Sequence, residues 1–149
     1  MDVVNGMFLG AAVGLVIAIP AFVSELTRRG KNLPLLMDVH ACWKRTCTPE
    51  ETFLLSLFTH ILASLSFGGL YAFFAIMGWG NQNFHLPSIA AFGMIFYLLI
   101  GVIILPLAGL GMFARKEGRL VWLELFAIQF LTSVGLWFAY RMFPVFLPN

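Results

Sequence analysis

Four stretches of this chain run for the length of a membrane-crossing helix almost without charge, and that spacing limits its fold more than any motif. They extend from Val4 to Val23, Phe53 to Met77, Ser88 to Phe113 and Leu120 to Tyr140, and the last holds one acid, Glu124. A helix needs about 20 predominantly apolar residues to cross a hydrocarbon core roughly 30 Å thick. In hydrocarbon each segment must satisfy its own backbone polar groups, which the helix alone among open structures does. The first stretch is therefore expected to be helical despite its glycines and Pro20. Composition agrees, because sixteen Phe stand against nine basic and seven acidic residues. A soluble domain carries about a quarter charged residues, whereas this chain carries 11%, so a soluble enzyme fold is excluded. A net charge of only +2 without a broad basic stripe excludes a nucleic-acid module, which must neutralise phosphates.

Orientation follows from the basic residues, which accumulate in short cytoplasmic loops. Arg28, Arg29, Lys31, Lys44 and Arg45 fall in the first loop (24–52), Arg115, Lys116 and Arg119 in the third (114–119), and none between Gly78 and Pro87. Both termini are thus expected outside, in what the compact design suggests is a prokaryotic plasma membrane. Trp43 and Trp122 would mark the cytoplasmic interface and Trp79, Trp137 and Tyr140 the other, since amphipathic rings prefer the headgroup level. Asp2 and the absence of a basic residue before the first apolar run argue against a cleaved signal.

The expected fold is a single all-α integral membrane domain over 1–149, a four-transmembrane-helix up-down bundle with a short interfacial helix in the first cytoplasmic loop. That interfacial helix is placed over Pro34 to Arg45, where Leu35, Leu36, Val39 and Trp43 recur at helical spacing. Thr48-Pro49-Glu50-Glu51 reads as the start of the next helix: a capping hydroxyl, proline in the first turn, and acids facing the dipole. A weak internal repeat pairs Pro20 and Arg28-Arg29 with Pro106 and Arg115-Lys116. Pro106 is expected to kink the third helix.

Two faces carry small residues every fourth position. In the first span these are Gly6, Gly10, Gly14 and Ala18; in the second, Ser56, His60, Ser64, Gly68 and Ala72. In lipid such faces let helices approach closely, either within the chain or against a partner. The third span offers Gly93, Tyr97 and Gly101 on one face.

Polar residues inside membrane helices are candidate functional groups because they are expensive to hold there. Counted at 1.5 Å per residue from the assigned interfaces, His60 lies about 12 Å deep and Tyr97 and Gln129 about 14 Å deep, while Glu124 is shallower, at roughly 6 Å. His60, Tyr97 and Gln129 would form a midplane layer. His60 could ligate a haem or pigment, relay protons with Glu124, contact a small solute, or stitch the bundle by bonding Tyr97, Gln129 or a serine. Asp38, His40, Cys42 and Cys47 are metal-ligand types in one loop, but their spacing lacks the two separated pairs of a structural zinc site. No Ser-His-Asp order, His-Glu-x-x-His or phosphate-binding loop is present, so catalysis has no motif behind it. In length the chain is similar to small multidrug exporters, fluoride channels and trimeric four-span glutathione-using enzymes. It lacks a Glu in the first span and an Arg-rich helix pair, so the likeness stops at length.

The leading expectation is a protein acting by helix association, as an accessory or assembly subunit or a homo-oligomer, in a lipid bilayer and without nucleic acid. The alternative is a cofactor-binding or proton-coupled small-solute transport protein built on His60, Tyr97 and Gln129.

Overall fold

In the computed structural model of the chain, residues 2–26, 41, 42, 45, 46, 48–78, 85–116 and 118–143 are described. Four helices among them are long and apolar enough to cross a membrane: α1 (Val3–Leu26), α2 (Pro49–Ile76), α3 (Leu86–Leu107) and α4 (Val121–Met142). Local chemistry sets the starts of the first two. The Asp2 carboxylate accepts from the Asn5 N–H at 2.7 Å, putting an acid at the positive end of α1. Thr48 caps α2 with its hydroxyl on the Glu51 N–H, and Glu51 returns its carboxylate to the Thr48 N–H, a complete capping box.

The third span is shorter than its apolar run. Ile100–Ile104 form a π-helical turn in which the Leu105 N–H bonds to the Ile100 carbonyl. Pro106 explains it: proline has no N–H for the usual bond four residues back and its ring crowds that carbonyl, so the ladder widens just before it. The helix ends at Leu107, and Gly109 (φ +85°) and Gly111 (φ +78°) turn the chain back with backbone angles that favour glycine. The run from Ala108 to Phe113 is therefore a turn folded onto the bundle and not the last part of a span. Phe113 and Ala114 also take positive φ, a strained arrangement held by the Phe113 ring packing on Gly101. Lys116 ties the turn down by donating to the Gly109 carbonyl at 2.8 Å.

Part of the expected interfacial helix is overturned. Ala41–Cys42 and Arg45–Thr46 pair as a two-residue antiparallel ladder, so the helical periodicity does not extend to Arg45. Residues 27–40, with the rest of that expected helix, lie outside the described ones, as do Trp43 and Trp79. Tyr140 is not an interfacial anchor either; it is 1% exposed and its ring lies 6.2 Å from that of Tyr71.

The two small-residue faces meet each other. A Cβ on Gly10 would run into the Ser64 main-chain carbonyl, and one on Gly68 into that of Gly6. Without a hydrophobic drive between helices in lipid, such backbone approach supplies van der Waals contact that larger residues would prevent. α4 lies on the other flank of α1, where a Cβ on Gly135 would sit 2.7 Å from Val13 Cγ1, and α3 packs on α4 with Gly93 against Ser133. The order around the bundle is α2, α1, α4, α3. The α2–α3 seam closes at one end through rings, with Phe67 5.5 Å from Phe92 and 5.4 Å from Phe96, and Tyr71 5.5 Å from Phe92. One apolar core of Leu9, Phe67, Tyr71, Ile89, Leu136 and Tyr140 fills that end, and a second, smaller one of Leu105, Leu110 and Ala114 fills the other.

Gly10→Ala should lower stability by about 1–3 kcal/mol, as overpacking does, because only backbone movement relieves the overlap. Gly14→Ala meets the Ser64 side chain instead, with Cβ and Oγ at 2.6 and 2.7 Å, so adding Ser64→Gly should restore stability. Gly69→Ala meets the flexible Met7 side chain and should be tolerated. Denaturant titration in mild detergent, followed by circular dichroism, would rank the three.

Candidate functional site: a cleft between α2 and α3

Between the two apolar cores the seam opens into a cavity of about 530 Å³. Its walls come from the first half of α2, the second half of α3 including Ile100 and Ile104 of the π turn, the turn residues Ala108 and Leu110, and Leu125, Ile128 and Gln129 of α4. The lining is mostly apolar, and among the described residues no Asp, Glu, Lys or Arg belongs to it. Leu62 of α2 and Leu99 and Ile104 of α3 line the cavity and are themselves 49%, 43% and 48% exposed. The cleft therefore opens sideways, through the apolar flank of the bundle.

His60, Tyr97 and Gln129 all line this cleft, but not at one level. Gly93 faces Gln129 and Ser133, whereas Tyr97 donates its hydroxyl to the Trp122 carbonyl at 3.1 Å and packs on Phe126 at 5.7 Å. Tyr97 is thus offset from Gln129 by about one helical turn, roughly 6 Å along the axis. The offset arises because the chain after Leu107 folds back before α4 begins. Glu124 lies in the first turn of α4, half-buried, and does not line the cleft.

His60 bonds neither Tyr97 nor Gln129. Its Nε2 is 3.0 Å from the Gly14 carbonyl, and since a carbonyl only accepts, Nε2–H donates and the neutral ring keeps its lone pair on Nδ1. Gly14 also lets Ser64 of α2 come close beside this bond, since a Cβ there would overlap the Ser64 side chain. Ligation of a haem iron through Nε2 would require breaking this bond. Ser56, Ser64, Gly68 and Ala72 are buried with His60 along the same face. Other hydroxyls return to their own helices: Thr59 to the Leu55 and Ser56 carbonyls, Thr132 to Ile128, Ser133 to Gln129. Gln129 Nε2 is buried with no hydrogen-bond partner.

His40, Cys47 and Asp38 fall outside the described residues, and Cys42 is in the short ladder. Among the described residues no three His, Cys, Asp or Glu gather as a metal site. The cleft's mouth was not anticipated: Leu99 and Ile104 sit in an unbroken apolar run and Leu62 between His60 and Ser64, and only the position of Pro106, just after the widened turn, offered a signal. Comparison with protein-family models, with curated proteins and with solved structures returned no match.

His60→Leu should cost about 0.6 kcal/mol, the average worth of a hydrogen bond inside a membrane protein, and leave the chain folded. Unfolding curves in detergent read this directly.

Proposed function

We propose that the chain is an integral membrane protein that holds a lipid-like molecule in the cleft between α2 and α3. In this reading it lies in the bilayer as an up-down bundle with both termini outside and the loops 24–52 and 114–119 on the cytoplasmic side. The observation that carries it is the sideways opening: the cavity meets its surroundings through Leu62, Leu99 and Ile104, which in this reading face acyl chains. Small-molecule sites are typically concave and mostly apolar with a few polar groups that orient the ligand, and His60, Tyr97 and Gln129 are such groups. Action through a partner is less well supported, because the glycine face that suggested it is covered by α2.

Native mass spectrometry of protein released gently from its membrane tests the proposal. The wild type should retain a lipid-sized adduct. Ala63→Phe, which places a ring in the cleft, should lose it, while the equally bulky Ala12→Phe on the exposed side of α1 should keep it. An adduct equally abundant in all three proteins would rule the cleft out.

A further inference from the structure

We propose that Gln129 reads the ligand, and that the ligand is an uncharged, quinone-type lipid: a flat ring bearing a carbonyl oxygen on an apolar tail. This rests on the cleft being a lipid-binding site. Gln129 stands about 12 Å along α4 from its start at Val121, in the wall of the cavity. Four donors near it already have acceptors: Tyr97 gives its proton to Trp122, Thr59 to Leu55 and Ser56, Ser133 to Gln129's own main chain, and His60 to Gly14. The Gln129 amide nitrogen has no acceptor, which is a costly state for a buried group unless something else supplies one.

The nitrogen lies 3.5 Å from where a Gly93 Cβ would be. The last torsion of a glutamine is broad and two-fold, so turning the amide toward the cavity breaks no hydrogen bond made by that nitrogen. A ligand oxygen arriving there completes it. That oxygen suits a neutral head, because among the described residues no charged side chain lines the cleft to meet a phosphate, carboxylate or ammonium, and an unpaired charge at that depth is expensive. A planar head suits walls that include Phe96 and Tyr97. Its tail leaves between Leu62 and Leu99, whose side chains are apolar and half-exposed. A glyceride ester also offers a carbonyl, but it carries it at a branch point bulkier than a ring.

Equilibrium dialysis of the full chain in detergent against decyl-1,4-benzoquinone, decylbenzene and dioleoylglycerol tests this. The wild type is expected to bind the quinone more tightly than the other two. Gln129→Leu should weaken quinone binding about fivefold, the loss of one neutral hydrogen bond, and leave decylbenzene binding unchanged. Its melting temperature should not fall, since the nitrogen it removes is unpartnered. Equal quinone affinity in wild type and Gln129→Leu would overturn the assignment to Gln129, as would tighter binding of dioleoylglycerol the assignment to a quinone. In either case loss of all binding in Ala63→Phe would still uphold the cleft. If the wild type binds none of the three, or Ala63→Phe binds as wild type does, the cleft reading falls with the inference.

Discussion

The backbone contact between α1 and α2 is the constraint on which the rest of the bundle depends. In hydrocarbon, apolar side chains gain little by leaving lipid for one another, so helices associate where surfaces fit closely. Gly6, Gly10 and Gly14 facing Ser64 and Gly68 supply such a fit and fix two helices as one unit. α4 takes the adjacent flank of α1 through Gly135 and Val13, and α3 then attaches to α4 through Gly93 and Ser133. α3 thus faces α2 across a seam joined by aromatic rings and the Tyr71–Ser88 hydrogen bond rather than by close backbone contact.

That seam is shut only at its ends. Phe67, Tyr71, Phe92 and Phe96 fill one end with rings, and the chain after Leu107 folds back to fill the other with Leu110 and Ala114. The π turn sits where the second closure begins. π-helical turns occur often at functional positions, and here Ile100 and Ile104 belong both to the turn and to the cavity wall. A single proline thus shapes the helix that forms one side of the cleft and the turn that ends it.

Much of the fold was legible in the sequence, because uncharged runs of this length are a strong physical signal and the start of α2 carries its own capping chemistry in Thr48 and Glu51. The small faces of α1 and α2 were also legible; their mutual contact was one of two open readings. Two things were not. The apolar run through Ala108 to Phe113 reads as membrane-spanning, since hydropathy does not distinguish a turn folded onto a bundle from a helix. Glycines at positions 109 and 111 were the available clue. The cleft itself was hidden because it depends on which helices are neighbours. Depth counting brought His60, Tyr97 and Gln129 to one region, but it assumed that every helix begins at a flat interface, and the folded-back turn before α4 breaks that assumption by about one turn. The Gly14 carbonyl could not be foreseen as the partner of His60, because main-chain acceptors inside a helix carry no sequence mark.

A four-residue repeat on both α1 and α2 has an ambiguity built into it: sliding one helix past the other by a single turn keeps small residues opposite small residues. The fit of Gly14 against Ser64, next to the bond from His60, separates the alternatives. Sliding α2 one turn toward the C-terminus of α1 sets Ala18 where Gly14 now stands, and its methyl group would overlap the Ser64 side chain, which a Cβ at Gly14 would meet at 2.6 and 2.7 Å. Moving α2 the other way preserves a glycine at position 10 but carries Gly68 toward the end of α1 and parts Phe22 from Phe53, whose rings now meet edge-on at 5.4 Å. One polar group in an otherwise repetitive interface can specify register, as buried polar residues do in coiled coils. In this bundle the close fit of Gly14 on Ser64, with the His60 bond beside it, favours one alignment of two helices whose repeat alone would allow several.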